Sequence, residues 1–171
     1  MELNLQLTCS LTGHRPCKLP WGYDENCESF KIFKEKIKII LNQLIDNGII
    51  NFLTGMAEGF DMIATEVLIN LRNSYPHIKI IAILPCLHQE KLWNKKQQER
   101  YKKIISLCDN KIVISQVYTN NCMQKRNAYM VRHSSILFAC YDSISNGGTK
   151  NTINYAKKQN RKLIFINPNE K

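Results

Sequence analysis

The chain has 171 residues, 44% of them hydrophobic, which allows one compact domain with a proper core and leaves too little for two ordinary ones. Lysine and arginine outnumber aspartate and glutamate 24 to 14, and the net charge of +10 favours an anionic partner without saying which kind. The start runs into a short apolar stretch with no basic leader, and no run reaches about eighteen apolar residues, so neither secretion nor membrane insertion is expected and the cytoplasm is the expected compartment.

Short apolar runs alternate with helical periods along the chain, the pattern of βα units wound into a mostly parallel, Rossmann-like α/β sheet with helices on both faces. Leu3 to Ser10 reads as the first strand, entering a loop at Thr12-Gly13-His14-Arg15-Pro16 that continues through Pro20 and Gly22. Phe30, Phe33, Ile37, Leu41 and Leu44 recur at helical spacing among lysines, which predicts a helix over Ser29 to Asp46 closed by Asn47-Gly48. Ile49 to Leu53 is the second strand, and Thr54 to Gly59 turns the chain into a helix from about Phe60 to Ser74. The nearly unbroken apolar run Ile78 to Leu84 predicts a strand buried on both faces, ended by Pro85. A lysine-rich helix is expected over Glu90 to Leu107, a strand over Lys111 to Ser115 and a helix over Met123 to Arg132. Ile136 to Tyr141 follows as a strand, Asn146-Gly147-Gly148 as a turn, Thr149 to Gln159 as a helix and Lys162 to Ile166 as the last strand.

Three strand-to-helix turns therefore carry glycine, all expected on one edge of the sheet. Ligands of such sheets sit beyond the carboxyl ends of the strands, where glycine lets the backbone approach an anion and the next helix adds the positive end of its dipole. A single glycine of this kind is more often a steric necessity; three in one small domain point to a shared pocket. After Gly13 and His14, Arg15 is placed to grip a phosphate or carboxylate through two parallel hydrogen bonds, or else is a solvated surface side chain. In the turn holding Gly55 and Gly59, Glu58 and Asp61 bracket the helix start; they either complement its dipole or contact a ribose hydroxyl. Thr149, after Gly147 and Gly148, caps the last helix and can offer its hydroxyl and amide to a phosphate. Arg126 and Asn127 either reach the same crevice or are merely exposed, and spacing leaves both readings open.

Seven scattered cysteines without a CxxC pair read as reduced thiols rather than a disulfide framework. His14 and Cys17 have the spacing of two zinc ligands but no matching second pair, so no metal is expected. Cys86, after Pro85, is a nucleophile only if His14 or His88 comes close enough to activate it; a structural thiol is the plainer reading. Lys91 to Lys103 sets Trp93 and Tyr101 among basic residues, as a single-stranded-DNA surface would. Against this, Leu92, Trp93, Ile104 and Ile105 read as the buried stripe of an ordinary amphipathic helix.

Five motifs stand in the order of one known family: TGHRP at Thr12 to Pro16, TGMAEGFD at Thr54 to Asp61, ILPC at Ile83 to Cys86 with QEKLW close behind, CMQKRNAYMV at Cys122 to Val131, and GGTKNTINYAKK at Gly147 to Lys158. By these motifs, which together cover nearly the whole chain, it resembles the DUF1273/YpsA-like family of the SLOG superfamily, named for the SMF/DprA and LOG proteins. The resemblance implies a Rossmann-like fold, frequently a homodimer, of bacteria or their phages, with a pocket for a nucleotide, NAD-derived or ADP-ribose-like molecule. No cofactor is fixed by it. The family's proposed binding positions fall on Gly13, His14, Arg15, Gly55, Gly59, Asp61, Arg126, Asn127, Gly147, Gly148 and Thr149.

The LOG branch cleaves the N-glycosidic bond of nucleoside monophosphates, through an oxocarbenium-like transition state that benefits from a nearby carboxylate. Its hallmark looks like PGGxGTxxE, and the equivalent stretch here is NGGTKNTINYA. Arg126 stands for the arginine that LOG proteins supply from a preceding helix, but Asn151, Thr152 and Ile153 leave no carboxylate in place of the glutamate. The resemblance therefore implies binding or sensing first. N-glycosidic hydrolysis with Arg126, Glu58 and Asp61 as candidate catalytic groups is the alternative, and DprA-like binding of single-stranded DNA is a third.

Overall fold

A computed structural model describes residues 3–170. Six strands, β1 (Thr8–Gly13), β2 (Asn51–Thr54), β3 (Lys79–Leu84), β4 (Asn110–Val113), β5 (Ile136–Cys140) and β6 (Lys162–Ile166), alternate with helices. The five helices are α1 (Glu28–Asp46), α2 (Phe60–Leu71), α3 (Lys95–Ser106), α4 (Cys122–Arg132) and α5 (Gly148–Lys158). The strands form one sheet in the order β4-β3-β2-β1-β5-β6, every neighbouring pair parallel. This is the α/β Rossmann-like architecture read from the sequence.

The two-residue period of the strands divides their side chains between two helical layers. Phe138 and Cys140 of β5 share a core with Ile37 of α1 and Ile63 of α2, whereas Leu137 and Ala139 pack with Val131 of α4 and Ile153 of α5. In β3, Ala82 and Leu84 meet Tyr101 and Ile104 of α3, while Ile81 and Ile83 meet Met130 of α4. Each such side chain contributes about 1.5–3 kcal/mol on leaving water, which is why the continuous apolar run of β3 needs cover on both faces.

Several boundaries differ from the sequence reading, each for a local reason. β1 starts at Thr8, because Leu5–Leu7 forms a single tight turn whose first residues are held by Asn4 Oδ1 accepting the Gln6 N–H at 3.0 Å. It runs on to Gly13, paired there with Cys140. α3 begins only at Lys95, where Asn94 Oδ1 accepts the N–H of Gln97 at 3.0 Å and caps the helix. Leu92 thus lies outside the helix and is 94% exposed, so it does not belong to the buried stripe; Trp93, Tyr101, Ile104 and Ile105 do pack inward. α5 starts at Gly148 with Gly147 as its cap residue, which puts Thr149 inside the first turn rather than at the cap. All seven cysteines are free thiols, and among the described residues no helix is long and apolar enough to cross a membrane.

Candidate functional site

From β1 the chain winds outward through β2, β3 and β4, then returns to place β5 on the other side of β1. The connections after β1 and β5 therefore diverge, one toward each half of the sheet, and open a crevice beyond their carboxyl ends. A cavity of about 320 Å³ lies there. The turns after β1 and β5, the start of α2 and the first turn of α4 all reach it.

Of the residues singled out in the sequence, Gly13, His14, Arg15, Asp61, Arg126, Asn127, Gly147, Gly148 and Thr149 line this one cavity. Gly55 and Gly59 are not among its lining residues. Glu58 faces a neighbouring groove, where its Oε1 accepts a hydrogen bond from the Tyr23 hydroxyl at 3.3 Å.

The glycines separate into two kinds. A Cβ on Gly13 would stand 2.5 Å from the Phe60 side chain, and one on Gly59 would stand 2.4 Å from the His14 carbonyl oxygen. A Cβ on Gly55 would collide with Arg126 at 1.7 Å. These three let backbone and side chains approach each other. Gly147 and Gly148 behave differently: a Cβ on Gly147 would meet only Lys18 Nζ, at 3.6 Å, and one on Gly148 would meet nothing within 4 Å. At φ +136° Gly147 holds a conformation that other residues rarely adopt, and no side chain caps the helix it opens. The first N–H groups of α5 thus face the cavity without a side-chain acceptor, at the positive end of an eleven-residue helix.

Basic side chains surround this helix start. Lys18 Nζ donates to the Asn146 carbonyl at 2.6 Å, Lys150 Nζ donates to Asn146 Oδ1 at 2.9 Å, and Arg15 lines the same cavity. On the opposite wall Arg126 is only 6% exposed; its Nη1 donates to the Gly55 carbonyl at 2.6 Å and stands 3.9 Å from Asp61 Oδ2, and its Nε has no partner among the described residues. Burial pushes the Asp61 carboxyl up, with Arg126 and Arg15 opposing, and pushes Arg126 down, with Asp61 opposing. Asn127 Nδ2 donates to Thr152 Oγ1 at 2.8 Å, and Thr152 Oγ1 donates to the Gly148 carbonyl at 2.8 Å, so α4 braces the first turn of α5.

His14 and Asp142 close the floor between β1 and β5. The Asp142 N–H points at His14 Nε2 at 3.1 Å, and Asp142 Oδ1 stands 3.2 Å from the same nitrogen. Nε2 cannot accept from the amide and donate to the carboxylate at once. Burial pushes the imidazole pKa down, with Asp142 opposing, so the neutral ring that accepts the amide N–H is the form this site holds. Burial works against the Asp142 charge, but hydrogen bonds from the Ser145 side chain and N–H and from the Ile144 N–H outweigh it and hold the carboxyl well below the usual range. Asp142 therefore shapes the loop that leads to Gly147. Sequence reading passed over Asp142, whose position just beyond a strand end was the available signal. It also passed over Lys18, which meets Asn146 across 128 residues of chain and leaves no local signal.

Cys86 is buried at 2% exposure and does not line the cavity; burial pushes its thiol up, with neighbouring Cys122 adding to the rise, the opposite of what activates a nucleophile. In the lysine-rich segment Tyr101 is buried against Trp93, and Arg100 is held by Glu25 and Glu66 at 2.6 and 2.7 Å.

The sequence profile of the YspA SLOG family (YpsA) matches residues 9–169, which takes in every strand but the first residue of β1 and every residue of the cavity. The chain belongs to the YspA SLOG family. An uncharacterized SPbeta prophage-derived protein YoqJ of Bacillus subtilis is 34% identical over 138 residues, covering 73% of this chain and 80% of that protein. A UPF0398 protein of Halalkalibacterium halodurans is 28% identical over 152 residues, covering 88% and 80%, and the UPF0398 protein YpsA of Bacillus subtilis is 24% identical over 152 residues, covering 88% and 84%.

Proposed function

We propose that this protein binds a nucleotide or nucleotide-derived molecule, of the NAD or ADP-ribose type, in the cavity between β1 and β5, with a phosphate against the first turn of α5. The observation that carries the reading is the pairing of an uncapped helix start at Gly147–Gly148 with Arg126, a nearly buried guanidinium whose Nε lacks a partner, on the facing wall. A helix start without a side-chain cap and a guanidinium lining the same cavity are what a phosphate group satisfies. The cavity of about 320 Å³ suits a phosphate with part of a ribose. Calorimetric titration of the purified protein with pyrophosphate, AMP, ADP-ribose and NAD tests this, together with mass spectrometry of small molecules released on denaturation. Saturable binding that weakens about tenfold in Arg15→Ala is expected from loss of a charge-assisted contact; no binding of any of the four would end the reading.

A second reading, N-glycosidic hydrolysis, is favoured by one feature: Asp61 sets a carboxyl in the cavity next to Arg126 although α5 carries none at Asn151, Thr152 or Ile153. An oxocarbenium-like transition state is stabilised by such a group. Its test is release of free base from nucleoside monophosphates, NAD or ADP-ribose, abolished in Asp61→Asn.

A further inference from the structure

Next to the cavity, and sharing Arg15 and Cys17 with it, runs a second groove of about 240 Å³ whose other walls are Pro16, Gly22, Tyr23 and Glu58. Its chemistry differs from that of the cavity. Arg15, Lys18, Arg126 and Lys150 give the cavity its cationic character, while the groove, with Arg15 at the shared end, adds an aromatic ring, a proline and one carboxylate. Tyr23 is 55% exposed, and its hydroxyl donates to Glu58 Oε1 at 3.3 Å, which ties the ring to the carboxylate and orients both on the groove wall.

We propose that this groove seats the base of the bound nucleotide and that Glu58 selects guanine. The inference rests on the phosphate reading of the adjoining cavity, since one ligand spans the two through Arg15, and it narrows that ligand to a guanine nucleotide, with the adenine-bearing NAD and ADP-ribose as the weaker ligands of the same site. A planar base stacks on Tyr23 whatever its identity, because every base has a π-face. Discrimination comes from Glu58. An ionised carboxylate only accepts hydrogen bonds. Guanine presents two adjacent donors, N1–H and the exocyclic amino group, which match the two carboxylate oxygens. Adenine presents an acceptor, N1, beside its amino group, so one carboxylate oxygen would face a lone pair. Oε1 keeps a lone pair beyond the one used by Tyr23, and Oε2 makes no hydrogen bond among the described residues. Cytosine offers only one amino group at that edge and uracil one N–H, each a single contact.

Cys17 supplies a reporter, because it lies at the junction of the two spaces and is exposed where the other six thiols are buried or half-buried. The experiment measures Kd for GDP, ADP and pyrophosphate by calorimetry, and in parallel the rate of Cys17 alkylation at saturating concentrations of each. The expected result is GDP binding about tenfold tighter than ADP, the discrimination typical of one bidentate contact to a base edge. GDP and ADP should both slow alkylation of Cys17. In Glu58→Ala the GDP-to-ADP ratio falls to about one while pyrophosphate affinity is unchanged. In Tyr23→Ala both nucleotides weaken together. Equal affinity for GDP and ADP in the parent protein, or a ratio that survives Glu58→Ala, overturns the groove assignment even where pyrophosphate binds. Failure of pyrophosphate and both nucleotides to bind overturns the phosphate reading, and this inference with it.

Discussion

Replacing Gly55 with alanine separates the glycines that serve packing from those that face the cavity. The new Cβ would stand 1.7 Å from Arg126 Nη1, 2.4 Å from its Cζ and 2.8 Å from Asp61 Oδ2, so the guanidinium has to leave. Gly55 has no positive φ, so the cost is the displacement of Arg126 and not backbone strain. The bond that breaks is the 2.6 Å contact from Arg126 to the Gly55 carbonyl, inside a buried site. A hydrogen bond to a charged group contributes about 1.5–3 kcal/mol, and disrupting a buried ion pair costs about 3–5 kcal/mol. The 3.9 Å separation of Arg126 and Asp61 places this pair near the bottom of that second range. Stiffening of the unfolded chain returns only about 0.4–1 kcal/mol. A net loss of about 3 kcal/mol is expected, or about 6–12 °C in Tm for a chain of this length. Urea denaturation and calorimetry measure it. The decisive comparison is a double-mutant cycle, since in an Arg126→Ala background the same substitution should cost little. Equal cost in both backgrounds would refute the steric argument.

Gly148→Ala provides the contrast: its Cβ meets nothing within 4 Å, so stability should hold or rise by about 0.5–1 kcal/mol, while affinity for pyrophosphate falls in the calorimeter. The neutral, buried His14 makes stability depend on pH in a defined direction. Its folded pKa lies below the unfolded value of about 6.5, so its contribution is complete above that pH and is lost as the pH falls toward the folded pKa. Subtracting the Tm-versus-pH curve of His14→Gln from that of the parent should expose this loss below pH about 6.5; a flat difference curve would show the ring to titrate normally. Asn94→Ala removes the α3 cap and should cost about 1 kcal/mol in urea denaturation, with no change in ligand affinity.

Periodicity and turn chemistry were enough to find each of the thirteen elements except the two short turns at Leu5–Leu7 and Pro16–Lys18, because apolar spacing at 2 or 3.6 residues reports which face a segment buries. They were also enough to mark Arg15 and the glycine turns, since a parallel sheet delivers every strand-to-helix turn to the same edge, whereas spacing left Arg126 open and only the family motifs singled it out. Leu92 shows the limit: its spacing fits the stripe of α3, and only the cap at Asn94 removes it from the helix.

What each glycine does was beyond the chain's own pattern. Gly13, Gly55 and Gly59 are small because Phe60, Arg126 and the His14 carbonyl press against them, and those neighbours come from elsewhere in the fold. The pairing of Lys18 with Asn146, of His14 with Asp142 and of Arg126 with Gly55 likewise joins residues about 70 to 130 positions apart. Sequence determines the local geometry because backbone preferences and burial periods act over a few residues. The reversal of strand order beside β1 is decided in three dimensions, and it is that reversal that turns separate loops into one cavity.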